Sequence, residues 1–313
     1  MKQALGEAVN ECLTECVKEN DRIVVLNCDV AKSVGIRQFG QENQDRFFQI
    51  GICEQDMFLI AGGLAASGFI PVVTTFAKFG SLRVAEQIST FIAYPKQNVK
   101  ILVSHGGLSP AQDGVTHQAV EDLGVIRSIP NMTIVEPYDA ISCKMLFKKV
   151  IDYQGPVYFR MNREQLPIIG SLDADKLEIG KGIQVCEGKD IAIIAMGSMV
   201  SRALDAAHIL EAKGISAAVY ALHTLKPLDE ELINSLAERF GVLVTAEEHN
   251  LLCGLGDAVS SVVTKRNPVL VGKVGINDTF AQSGKYSELL SYYHLTAEDI
   301  AAEVWKTYKK HKT

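Results

Sequence analysis

The chain has 313 residues, 47% hydrophobic and 22% charged, with a formal net charge of −6. At roughly 100–200 residues per domain this length allows about two domains, and the composition excludes a disordered chain. The acidic balance leaves no basic footprint for nucleic acid, and no stretch reaches the ~18 uninterrupted apolar residues of a membrane span.

In chain order, MKQALGEAVNECLTECVKEN (1–20) forms an amphipathic helical pattern with acidic residues inside it. It lacks the apolar core of a secretory signal, so a soluble, cytoplasmic protein is expected. Short β-branched runs follow at RIVVLNC (22–28), IPVVTTF (70–76), VKILVSH (99–105), MTIVEP (132–137) and PVYFRMN (156–162). Near-continuous apolar runs of this kind suit parallel strands covered on both faces. Helical patterns at EQDMFLIAGGLAAS (54–67) and RVAEQISTFIAY (83–94) separate them, and the alternation predicts an α/β fold.

A second series of strands is expected at IAIIAMG (191–197), ISAAVYAL (215–222), GVLVTAEE (241–248) and VLVGKVG (269–275). Helices over SRALDAAHILEAKG (201–214), with Gly214 as C-terminal cap, and DEELINSLAERF (229–240) alternate with them. The weakly periodic segment IIGSLDADKLEIGKG (168–182) puts a boundary near 170–185. It predicts two domains, 1–175 and 185–313, with mainly parallel sheets flanked by helices. The basic run Lys309, Lys310, His311, Lys312 fits a solvated tail.

Seven cysteines are scattered without a CxxC pair, so reduced thiols are expected and no metal site is. Neither GxGxxG after a first strand nor GxxxxGK[ST] occurs, so the usual phosphate cradles are missing. The glycines of AGGLAASG (61–68) fall in a helical pattern and fit close helix packing. SHGGLSPAQDGVTHQ (104–118) follows a strand and carries His105, Asp113 and His117 in a Gly-rich loop. Such loops open at the carboxyl edge of a parallel sheet, where ligands bind. Two imidazoles and a carboxylate there suit proton transfer or polar recognition, while turn-forming hydrogen bonds account for the same residues without function. In GICEQDM (51–57), Glu54 stands in the first turn of a helix, and taken alone the helix dipole explains it better than catalysis does.

Longer stretches carry a resemblance. GICEQDMFLIAGGLAASGFIPVVTTFAKF (51–79), SHGGLSPAQDGVTHQAVEDLGVIRSIPNMTIVEPYDA (104–140) and GPVYFRMNR (155–163) resemble the pyrimidine-binding domain of transketolases. TAEEHNLLCGLGDAV (245–259) and GINDTFAQSGKYSELLSYYHLTAEDI (275–300) resemble the family's C-terminal domain, so nearly the whole chain is covered. The resemblance implies a thiamine diphosphate enzyme that transfers a two-carbon ketol unit from a ketose phosphate to an aldose phosphate. It implies that Glu54 hydrogen-bonds N1′ of the aminopyrimidine, where proton sharing favours the imino tautomer that removes the thiazolium proton. An apolar surround would help Glu54 share that proton.

By the same resemblance Phe79, three residues after Phe76, stacks on the aminopyrimidine. Asp113 and His117 recognise donor hydroxyls, and His117 joins Glu54 as a catalytic candidate. His105, Arg163 and Ser33 hold the distal phosphate, for which the arginine fork is suited. Asp29, in DVAKS (29–33), matches a carboxylate near the cofactor, and Lys2 stands nearest to the place of a phosphate-binding arginine.

The GDG…N motif with which the family holds the cofactor diphosphate through Mg2+ does not occur here. The resemblance therefore implies a separate N-terminal partner subunit carrying that site, an α2β2 heterotetramer, and a chain inactive by itself. Two related enzymes stay open, the beta subunit of a 2-oxoacid dehydrogenase and a 1-deoxyxylulose-5-phosphate synthase. DGVTHQ with His105 eight residues before Asp113 favours transketolase. A non-catalytic module of the same fold is disfavoured by the joint presence of Glu54, Phe79, His105, Asp113 and His117.

Overall fold

The apolar runs become the strands of two mainly parallel sheets in the computed structural model, which describes residues 1–170 and 177–312. The boundary expected near 170–185 lies partly outside the described residues. The first sheet has seven strands, in spatial order Thr224–Lys226, Thr133–Val135, Val157–Arg160, Lys100–Ser104, Ile70–Phe76, Ile23–Asn27 and Phe47–Gln49. All neighbours are parallel except Thr224–Lys226, which runs antiparallel to Thr133–Val135. That strand comes from the second half of the chain, so the two halves share a sheet edge.

The second sheet orders Leu270–Ile276, Val242–Asn250, Ile191–Ala195, Ala217–Ala221 and Ile183–Cys186, the last antiparallel and the rest parallel. A two-stranded antiparallel ladder pairs Lys2–Ala4 with Gln165–Pro167 and sets Lys2 opposite Pro167.

Strand alternation divides the interior into two cores. Ile23, Val25 and Ile193 face one, and Val24, Leu26 and Ile194 the other, because successive side chains point to opposite faces. Both cores run through both halves, and both faces of each sheet are covered, as continuous apolar runs require. The helix Leu5–Glu19 contributes Leu5, Val9, Cys12, Leu13 and Cys16, spaced three and four apart along one stripe.

The helical pattern at 83–94 is built differently from the expectation of one helix. Short 3-10, α and π turns succeed one another over Leu82–Val84, Ala85–Gln87 and Ile88–Ala93. Gly62 packs under this segment, where a Cβ would lie 3.2 Å from the Phe91 carbonyl oxygen, whereas Gly63 faces open space. Close packing thus accounts for one of the two central glycines. Gly214 has a left-handed backbone (φ +78) but stands two residues beyond the actual cap, Ala212.

The parallel strands of the first sheet send their carboxyl ends to one edge. Asp29, Phe79, His105 and Arg163 lie just past the ends of four of them, at Asn27, Phe76, Ser104 and Arg160.

Candidate active site

Glu54 opens the helix Glu54–Ala66 and is only 3% exposed. Its Oε2 accepts from Arg83 Nη1 at 2.8 Å, and its Oε1 from Thr75 Oγ1 at 3.4 Å. The apolar surround expected for Glu54 is therefore interrupted by a guanidinium and a hydroxyl. The same guanidinium lies 4.1 Å over the Phe79 ring, so one side chain links the buried acid to the aromatic face. A planar group stacking on Phe79 has to take the opposite face or displace Arg83.

Phe76 is the hub of an aromatic cluster. The His105 ring stacks on it at 3.9 Å, the Phe79 centroid is 6.0 Å away, and His117 meets the edge of Phe79 at 5.2 Å. His105 has a left-handed backbone (φ +67), and its Nδ1 lies 3.1 Å from Ser104 Oγ. Burial pushes the His105 imidazole down to about 3, and the nearby charges of Arg163 and His117 add to this. At neutral pH it offers a hydrogen bond but no positive charge.

Farther along the edge, Arg163 Nη1 pairs with Asp113 Oδ2 at 3.0 Å. Lys2, Asp113, Arg163, Arg202 and Lys285 line one groove of about 690 Å³. Its volume suits a small polar ligand. The ladder from Lys2 to Pro167 carries the amino-terminal lysine into this groove.

Two expected members stand apart. Ser33 is exposed on the short helix Ala31–Val34 and has no hydrogen bond to His105 or Arg163 in the structure. Asp29 is exposed at φ +58, and its backbone N–H donates to Gln49 Oε1 at 2.8 Å. Among the described residues, no three His, Cys, Asp or Glu side chains gather as a metal site. No described helix is long and apolar enough to cross a membrane.

At the end of the strand Val157–Arg160 lies a buried ionic network that the sequence motifs did not isolate. Arg160 donates through Nε to Asp122 Oδ2 (2.8 Å), through Nη2 to Asp122 Oδ1 (3.1 Å) and through Nη1 to Glu136 Oε1 (2.8 Å). Tyr158 O–H also donates to Asp122 Oδ2, at 2.9 Å. Burial raises the Glu136 carboxyl to about 7 despite Arg160. An arginine inside the apolar run PVYFRMN is the sequence signal for this network, since charges are almost never fully buried unless paired. Arg83 offers no comparable signal, because its contact with Glu54 spans 29 positions.

Exposed apolar side chains lie along the helix that Glu54 opens and along the segment packed against it. Ile52 is 74% exposed and Tyr94 83%, with Leu59, Ile60, Leu82 and Phe91 also open to solvent.

The chain matches the family model of the transketolase pyrimidine binding domain over residues 1–168 and that of the transketolase C-terminal domain over residues 180–300. It is 40% identical over 311 residues to a transketolase C-terminal section of Methanocaldococcus jannaschii, across 98% of this chain and 97% of that protein. It is 37% identical over 296 residues to the 6-deoxy-6-sulfo-D-fructose transketolase subunit SqwH of Clostridium sp. (strain MSTE9), across 95% and 92% of the two chains. A solved split-gene transketolase, an inactive beta4 tetramer, superposes with a TM-score of 0.90 at 42% identity over 98% of each chain.

Proposed function

The chain belongs to the transketolase family, and from that premise we infer that it is the C-terminal subunit of a two-chain, thiamine diphosphate-dependent transketolase. Its reaction moves a two-carbon ketol unit from a ketose phosphate to an aldose phosphate. One observation carries this reading: a carboxylate buried to 3% beside an aromatic face, at the sheet edge that also holds two imidazoles. Glu54 and Phe79 fit the two contacts an aminopyrimidine needs, a proton-sharing acid and a stacking surface. When bound, the cofactor supplies the carbon nucleophile for the ketose carbonyl.

This chain's own residues position and share protons. Glu54 holds the aminopyrimidine nitrogen and shares its proton there. Phe79 orients the ring, and Arg83 either yields that face or keeps the other. His117, at the edge of Phe79, meets the donor hydroxyls and exchanges protons with them. His105 is neutral and donates without adding charge. At the far end of the groove Asp113 accepts from a hydroxyl, while Arg163 and Lys2 bind the phosphate. Asp29, just past the end of the strand Ile23–Asn27, would add a cofactor contact when the site is filled, and Ser33 a phosphate contact.

The exposed apolar side chains along the helix that Glu54 opens and the segment packed against it support a partner. We assign to it an N-terminal transketolase subunit that brings the diphosphate and Mg2+ site, in a cytoplasmic α2β2 assembly. The reading is tested by mixing the two chains with thiamine diphosphate and Mg2+ and screening ketose phosphates, and sulfonated ketoses, against an aldose phosphate acceptor. Ketol transfer is expected only with both chains present. Transfer by the isolated chain contradicts the split site, and decarboxylation of a 2-oxoacid in place of ketol transfer moves the protein to another branch of thiamine enzymes.

A further inference from the structure

Glu248 lies on the strand Val242–Asn250 of the second sheet, buried to 3% exposure. Its carboxylate is fastened to both halves of the chain. Oε1 accepts from the backbone N–H of Leu108 at 2.8 Å. Oε2 accepts from Asn162 Nδ2 at 3.1 Å, from the Tyr286 hydroxyl at 2.5 Å and from Ser198 Oγ. Leu108 stands three residues after His105, and Asn162 stands one before Arg163. Tyr286 and Ser198 belong to the second half.

The loop after His105 needs this support. His105 and Gly107 both have left-handed backbones, at φ +67 and +64. A Cβ on Gly107 would lie 2.5 Å from Glu248 Oε1, so only glycine lets the carboxylate approach. Beyond Leu108 the chain of hydrogen bonds continues to the groove. Ser109 Oγ donates to the Gly106 carbonyl (2.6 Å) and accepts from the Arg163 N–H (3.1 Å), and Arg163 reaches Asp113 (3.0 Å).

We propose that Glu248 is a positioning residue through which the C-terminal half sets the spacing of the substrate-binding loops. It touches no substrate; it holds the segment His105–Asp113 and the segment Asn162–Arg163 in one register. The proposal rests on the reading of the groove as the sugar phosphate site. Hydrogen bonds to a carboxylate are stronger than neutral ones, and losing the acceptor strands buried donors on four segments. Glutamine at this position has a single acceptor oxygen, so it cannot serve Leu108 on one side and three donors on the other.

Glu247 is the internal control. It is equally buried, but it accepts from the N–H groups of Leu255 (2.6 Å) and Gly256 (2.8 Å) at the start of the helix Leu255–Arg266, away from both loops.

The experiment compares wild type, Glu248→Gln, Tyr286→Phe and Glu247→Gln in the two-chain enzyme. Glu248→Gln should raise the KM for the ketose phosphate donor roughly 10- to 100-fold, with a much smaller change in kcat. Tyr286→Phe should move KM in the same direction by less; because Tyr286 also lines the groove, it carries the test through the exchange measurement below if Glu248→Gln does not fold. Glu247→Gln should leave KM unchanged. An unchanged KM in Glu248→Gln or Tyr286→Phe, or an equal rise in Glu247→Gln, overturns the proposal. Amide hydrogen exchange reads the same claim without turnover. Glu248→Gln or Tyr286→Phe should speed exchange across residues 105–113, and Glu247→Gln should not. Unchanged exchange there overturns the positioning role. A wild-type enzyme without ketol transfer overturns the functional reading alone.

Discussion

Glu54 and Arg160 are both buried charges near the carboxyl edge of the first sheet, but their surroundings are finished to different degrees. Arg160 is enclosed by Asp122 and Glu136, and its Nη2 reaches the Ala119 and Glu248 carbonyls as well. Glu54 has one exposed guanidinium and one long hydroxyl contact. At the seam between the halves Arg160 is satisfied within this chain, although Glu136 Oε2 and His249 Nε2 are buried without a hydrogen-bond partner. The Glu54 edge has the form of a surface that another chain covers. The loops after His105 and around Arg163 are thus fixed by the protein itself, while Glu54 keeps an exposed guanidinium as its ion-pair partner.

The largest expected effect breaks the chemical side of this contrast. Glu54→Gln in the two-chain enzyme should lower turnover roughly 10²- to 10⁴-fold while the melting temperature barely moves. Full turnover in this variant would remove Glu54 from the chemistry. Arg160→Met breaks the structural side. It leaves two carboxylates buried without their cation and should cost about 3–5 kcal/mol in urea unfolding. A loss close to that of an ordinary surface substitution would show that the seam does not depend on this pair.

A smaller effect sharpens the account of the seam through pH. Burial holds Glu136 up at about 7, above its ordinary 4.5, so the folded chain keeps a proton that the unfolded chain releases. The folded state binds more protons between these values, and stability therefore falls as pH rises. The contribution is fully present below about 4.5 and is lost as pH passes 7. Glu136→Gln removes this titration. Relative to wild type it should be more stable at pH 8 than at pH 5 by roughly 2–3 kcal/mol. Equal differences at both pH values would mean that Glu136 is ionised in the fold throughout.

Five strands of the first sheet and four of the second were legible in the sequence because burial on two faces leaves runs such as IAIIA with no polar alternation, whereas the edge strands Phe47–Gln49 and Ile183–Cys186 were not expected. The strand Thr224–Lys226 was not, since three residues pair only because the first sheet offers an edge. The segment after Leu82 kept its helical periodicity, but its hydrogen bonds divide it into three kinds of turn. Glu54, Phe79, His105, Asp113, His117 and Arg163 were legible as ordered motifs rather than from local chemistry. The structure gathers the two histidines around Phe76, with His117 also at the edge of Phe79, and Asp113 with Arg163. Arg83 and Glu248 were hidden because their meaning is a contact across the chain, 29 positions to Glu54 and 140 to Leu108.

The contrast between a closed seam and an open edge is tested most directly by oxidative footprinting of this chain, alone and with its N-terminal partner. Ile52 is exposed two residues before Glu54, Phe91 and Tyr94 are exposed on or just after the segment packed against the helix Glu54–Ala66, and Tyr292 is exposed in the second half. Addition of the partner should protect Ile52, Phe91 and Tyr94 and leave Tyr292 reactive. If those three residues stay as reactive as in the isolated chain, the partner does not complete the Glu54 edge.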